Sequence, residues 1–147
     1  EGRLILADAL SYAKKYDPKL VIDLATLTGA AAAAIGHFGI VSMHKNAFKE
    51  HEFLKFSGLK VHERLAEMPF WDDYDKLIES DIADIKNLGG SFAGAITAGK
   101  FLSHFTNYPW IHLDIAGPTF VKSEYGYRGK GATGTGVRLL YEFIKNI

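Results

Sequence analysis

Apolar residues recur every three or four positions over residues 4–16, with Leu6, Leu10 and Ala13 on one line and Ile5, Ala9, Tyr12 and Tyr16 beside it. That spacing predicts a helix with one broad buried face. Lys14 and Lys15 suit the negative end of its dipole, and Asp17 is pushed out of helical geometry by Pro18, so the helix is expected to stop near Tyr16. From Leu20 to Ala25 the chain is almost continuously apolar, as in a strand covered on both faces. It then passes through Thr26-Leu27-Thr28-Gly29 into the alanine-rich stretch Ala30–Ile35, which reads as strand, loop and short helix. In α/β sheets, ligands gather just beyond the carboxyl ends of such strands.

Gly36 and Gly39 bracket a turn, and residues 40–43 predict a second strand. Asn46 is expected to cap a helix from Ala47 to about Phe56, with Phe48, Phe53 and Phe56 facing the core and Gly58 ending it. Pro69 breaks any long helix in residues 60–80, Phe70-Trp71 reads as an apolar anchor, and residues 71–78 as a further helical piece. Ser91 is expected to cap a helix over residues 93–105. There Gly94, Ala95, Ala98 and Gly99 allow close backbone approach, while Ile96, Phe101, Leu102 and Phe105 supply bulk. Residues 110–115 predict a third strand, residues 122–136 a long glycine-rich loop, and residues 137–144 a closing helix. Strands alternating with helices imply an α/β fold, a three-layer α/β/α arrangement with a mostly parallel sheet.

Composition adds bounds. The 147 residues suffice for one domain with a substantial core. Seventeen basic residues balance seventeen acidic ones, so neither nucleic acid nor an anionic membrane is indicated as a partner. The sequence has no cysteine, which removes disulfides and thiolate metal sites and is compatible with a reducing compartment. No apolar run approaches the roughly twenty residues of a membrane span, and the start lacks the parts of a signal peptide.

At the first residues Glu1, Gly2 and Arg3 stand ahead of the first helical pattern, placing a carboxylate, a bare turn and a guanidinium where charged chemistry is often found. Glu1-Gly2-Arg3-Leu4 resembles the second half of the N-T-D-A-E-G-R-L signature of the leucyl aminopeptidase (cytosol aminopeptidase) family, dinuclear metal peptidases that trim N-terminal residues. Residues 21–30 resemble that family's D-x-A-T-L-T-G-A block, and residues 80–90 its S-D-x-A-D-x-K-N-x-G block with the small-residue helix after it. Residues 110–118 and 130–138 complete the order.

The resemblance implies a three-layer catalytic domain of which residues 1–147 would be the carboxyl-terminal portion. It implies an enzyme that releases N-terminal amino acids, leucine-like ones by preference, from peptide substrates, using two divalent ions such as zinc or manganese. Glu1 matches a metal-ligand glutamate. Arg3 matches an arginine that holds a bicarbonate and steadies the developing oxyanion. Thr26, Leu27 and Gly29 match the wall of the pocket for the substrate's first side chain, and Ala132 a farther part of it. The family's remaining ligands, an aspartate two positions before Glu1 and a lysine and aspartates farther upstream, would precede residue 1, as would a separate catalytic lysine. The chain alone is therefore expected to be inactive and to hold no tight metal, with an exposed sheet edge or apolar face as its liability. Cytoplasmic location and assembly of the parent into a hexamer are further implications.

The alternative is a noncatalytic binding or assembly domain derived from the same fold. Gly129 to Gly134 fits G-x-G-x-x-G, but no clear strand precedes it and no ribose-binding acid can follow. His51-Glu52 and His62-Glu63 begin like a zincin motif, yet Lys55 and Ala66 stand where the second histidine belongs. His37, His44, His104 and His112 lack ligand spacing and read as surface or core groups. Asp81 and Asp84 with Lys86 read as a local ion-pair network.

Overall fold

The structure is a computed structural model and describes residues 2–147. Glu1 lies outside the described residues. Helix α1 spans Gly2–Ala13 and tightens into a 3-10 turn over Lys14–Tyr16; Asp17 then turns the chain at φ 46°. The helix thus starts before the expected position and ends where Pro18 requires. Strand β1 is Val21–Ala25, helix α2 Gly29–Ile35, strand β2 Ile40–Lys45, helix α3 Phe48–Lys60 and strand β3 Leu65–Glu67. A 3-10 segment over Asp72–Ile78 precedes helix α4, Gly94–His104, and strand β4, Trp110–Asp114. Two short strands, β5 (Phe120–Val121) and β6 (Gly131–Ala132), form a hairpin before helix α5, Val137–Ile144.

The main sheet has the order β1-β4-β2-β3. It is mixed: β1 and β4 run parallel, β2 and β3 run parallel, and β2 runs antiparallel to β4. Two of the three pairings are therefore parallel, and the sheet is covered on both faces. Alternate strand residues divide the core. Ile40, Ile111 and Leu113 pack with Leu54 of α3 and Leu139 and Phe143 of α5. On the other face Trp110 packs with α1 and α4, and Val41 and Met43 pack with α2 and α4.

Several expectations are corrected by this packing. Asn46 does not cap α3; it takes a left-handed φ of 54°, and Ala47 occupies the N-cap position without a side-chain bond. Phe48 and Phe56 are exposed, because the face α3 turns inward carries His51, Leu54, Ser57 and Gly58. Gly58 lies inside the helix, where a Cβ would sit 2.5 Å from the carbonyl oxygen of Glu63. Ser91 does not cap α4 either, since Ala93 at φ 51° opens it. Trp71 is exposed and stacks on Tyr74, and it is Phe70 that packs against Trp110. Strand β3 and the β5-β6 hairpin were not foreseen; both are too short to carry a period of their own.

Candidate active site

The parallel strands β1 and β4 end side by side, Ala25 opposite Asp114. Beyond Ala25 the chain leaves the sheet as Thr26-Leu27-Thr28, and Asp114 holds that loop. Its Oδ1 accepts from Leu27 N at 3.2 Å and Ala116 N at 3.1 Å, and its Oδ2 accepts from Thr28 Oγ1 at 2.7 Å. Thr28 in turn caps α2, accepting from Ala31 N at 3.0 Å. A buried carboxylate with these donors is satisfied, and it fixes the loop in one conformation.

The loop forms one wall of a cleft of about 760 Å³ whose other wall is the start of α1. Gly2, Arg3, Ile5, Leu6 and Ala9 line it from the helix, Leu24, Ala25, Thr26 and Leu27 from β1 and its loop, with Leu88 and Ile115 completing it. Of the residues anticipated from sequence, the fold thus brings together Arg3, Thr26 and Leu27. Gly29 stands outside this lining as the first residue of α2, with open space where a Cβ would be. Ala132 lies in β6, paired with Phe120, and does not line the cleft. Glu1 lies outside the described residues.

Arg3 is held in place by its neighbours. Its guanidinium donates to the carbonyl oxygen of Asn87 and lies 5.9 Å from the centroid of the Phe101 ring. The residues 80–90 block therefore reaches the cleft through Asn87 and Leu88. Asp81 and Asp84 make no ion pair within 4.0 Å among the described residues. Lys100, beside them, pairs instead with Asp75 at 3.0 Å and Asp72 at 3.7 Å.

Three polar features escaped the sequence reading. Asp23, inside the apolar run of β1, accepts from Trp110 Nε1 at 2.7 Å and lies 2.6 Å from Nδ1 of His112, so one buried carboxylate ties β1 to β4. Glu63 is buried and caps α5 across 76 positions, accepting from Leu139 N at 2.9 Å and Gly136 N at 3.1 Å, with Arg138 at 3.3 Å. His44, His51 and Glu67 converge at the far end of the sheet. The signal for Asp23 was a charged residue inside an apolar run, whereas Glu63 stands between His62 and Arg64 and carries no such signal. The third is a register effect that no linear spacing carries.

A family model described as the cytosol aminopeptidase family, catalytic domain, matches residues 1–141. A relative from Chlorobium phaeobacteroides named "Probable cytosol aminopeptidase" is 50% identical over 148 residues, covering 99% of this chain and 29% of the relative. One of the same name from Geobacter sulfurreducens is 47% identical over 146 residues, with the same coverage of 99% and 29%. The chain thus spans about 29% of the length of these curated relatives. Among solved structures, a point mutant of tomato leucine aminopeptidase superposes with a TM-score of 0.91 at 36% identity, covering 99% of this chain and 28% of that one. The bottromycin maturation enzyme BotP superposes with a TM-score of 0.92 at 30% identity, covering 99% and 33%.

Proposed function

The chain belongs to the cytosol aminopeptidase family, and from that premise we propose that it builds the substrate-side wall of a metal-dependent aminopeptidase active site with a preference for leucine-like first residues. The observation that carries the proposal is the cleft that joins Arg3 to the Thr26-Leu27 loop at the carboxyl ends of two parallel strands. Ile5, Leu24, Leu27 and Ile115 give it an apolar lining suited to an aliphatic side chain. Asp114 acts as a positioning residue by holding Leu27 N and Thr28 Oγ1. Arg3 presents a planar fork of donors suited to a bicarbonate or to an oxygen that gains charge during peptide cleavage.

Two divalent ions, zinc or manganese, do not fit the described lining by itself, which offers a guanidinium, backbone groups and apolar side chains but no carboxylate or imidazole. Glu1 is the proposed metal ligand of this chain, by the resemblance of Glu1-Gly2-Arg3-Leu4 to the family's signature. One carboxylate does not hold a metal pair, so we propose that residues 1–147 alone are inactive and act as one portion of a larger catalytic domain. Peptides as substrates and the cytosol as location belong to the same proposal, supported by the family and by the name of the relatives; a hexamer as assembly is proposed from the resemblance alone. No described helix is long and apolar enough to cross a membrane.

The test is a chimera in which this chain replaces the matching portion of the Chlorobium phaeobacteroides relative. It should hydrolyse leucine anilide at least about tenfold faster than alanine anilide, from the roughly 1–3 kcal/mol per added methylene of an apolar pocket. Arg3→Ala in the chimera should lower kcat about 10²- to 10³-fold, the range for loss of an oxyanion donor. A chimera without leucine preference, or with kcat unchanged by Arg3→Ala, would overturn the assignment.

A further inference from the structure

The strand register carries three metal-binding side chains to one place remote from the cleft. Lys45 at the end of β2 lies across from Trp110, and Trp110 from Val21, so β2 finishes at the opposite end of the strands from Ala25 and Asp114. Ser42 and His44, two apart, share the face of β2 that α3 covers. Glu67 is the register partner of Ser42 on the parallel neighbour β3. His51 comes down from the first turns of α3 onto the same spot, its Nε2 2.9 Å from Ser42 Oγ.

We propose that His44, His51 and Glu67 form a binding site for a divalent transition ion, zinc in particular. One donor atom from each residue lies within 4.8 Å of the other two. His44 Nε2 stands 3.4 Å from Glu67 Oε1, and His51 Nδ1 stands 3.8 Å from Glu67 Oε2. Two ligands on one tetrahedral zinc, each at ~2.0–2.1 Å, are about 3.4 Å apart, so small side-chain movements close the site. Two imidazoles and a carboxylate select zinc and its first-row neighbours over magnesium or calcium, which require oxygen ligands.

Three further observations support a ligand here. His51 is fully buried, and its Nδ1, the nitrogen that faces Glu67, has no hydrogen-bond partner. A buried ring nitrogen without a partner is costly unless something fills its lone pair. Ser42 Oγ fixes the ring: with the ion on Nδ1, Nε2 carries the proton and donates to the hydroxyl. Finally, His44 and Glu67 line an open cleft of about 460 Å³ with Met68, Pro69 and Phe70, which gives the ion an entry path and room for a water as the remaining ligand. Lys55 competes for the Glu67 carboxylate. Its Nζ pairs with Glu67 Oε2 at 2.9 Å, but it also pairs with Glu52 at 2.7 Å and keeps that partner when Glu67 turns to the ion.

The test uses the tag-free chain titrated with Zn²⁺ by calorimetry and with Co²⁺ by visible absorption. One ion should bind saturably, with the Co²⁺ band of a tetrahedral nitrogen and oxygen site. His44→Ala and Glu67→Gln, both at partly exposed positions and checked for native circular dichroism, should each weaken Zn²⁺ binding at least about 100-fold, beyond the effect of an outer residue. Ser42→Ala should weaken it about 10- to 100-fold. Lys55→Met should tighten it, by up to about fivefold, because a surface ion pair no longer competes. Absence of saturable binding, or binding that survives both His44→Ala and Glu67→Gln, would overturn the site.

Discussion

At the scale of single residues, the buried carboxylates decide most of the local structure. Glu63 accepts from two backbone N–H groups at the start of α5 that have no helical partner of their own. Glu63→Ala leaves those donors unpaired in the interior and should destabilise the chain by about 2–4 kcal/mol, read by urea denaturation. Retention of wild-type stability would mean that water or a neighbour replaces the cap. Asp114 should behave by degree. Asp114→Ala frees Leu27 N, Thr28 Oγ1 and Ala116 N together, whereas Asp114→Asn keeps one acceptor oxygen, so the alanine variant should lose about 1–3 kcal/mol more than the asparagine variant. Equal losses in the two variants would show that the loop does not depend on these bonds.

At the scale of elements, the order of strands and helices was legible because each long segment carries its own period: the closing helix over residues 137–144 is observed at those bounds. The faces were legible only where the period was unambiguous. For α3, two of the three phenylalanines drew the reading to the wrong side, since Phe48 and Phe56 are 65% and 53% exposed while Phe53 packs against the core and Leu54 is fully buried. Aromatic bulk does not determine which face meets the sheet; small residues such as Gly58 do, by letting the helix approach the chain at Glu63. Leu54→Ala should therefore cost about 2–5 kcal/mol, and Phe48→Ser no more than about 0.5 kcal/mol, both read from thermal unfolding. The reverse order would place the core on the other side of α3. A similar constraint opens α5: Gly136 sits at φ 97°, and a Cβ there would lie 2.5 Å from Leu24 Cδ2. Gly136→Ala combines that contact with left-handed strain and should cost at least about 1 kcal/mol in the same measurement.

At the scale of the whole molecule, the candidate site divides into what a motif can carry and what only the sheet can assemble. Arg3, Thr26 and Leu27 were legible because each stands in a recognisable block, and the fold brings them to one cleft. Gly29 and Ala132 stand in such blocks too, yet the fold keeps them out of its lining. The cluster of His44, His51 and Glu67 was not legible, since it depends on β3 lying parallel to β2 with Ser42 opposite Glu67. The same topology leaves β1 as an edge strand beside α1, whose Ile5 is 69% exposed within the cleft lining. An unpaired strand edge next to an apolar helix face invites association. Sedimentation should show the chain self-associating as its concentration rises, and Ile5→Lys should weaken that association.

Hydrolysis of leucine anilide by the purified 147-residue chain, with and without added zinc or manganese, tests the central claim most directly. No turnover is expected under either condition, because the described cleft carries the proposed substrate wall and the proposed anion-holding Arg3 but not the ligands of a metal pair. Metal-dependent turnover by the chain alone, abolished by Arg3→Ala, would contradict it and show that groups within residues 1–147 assemble a complete catalytic site.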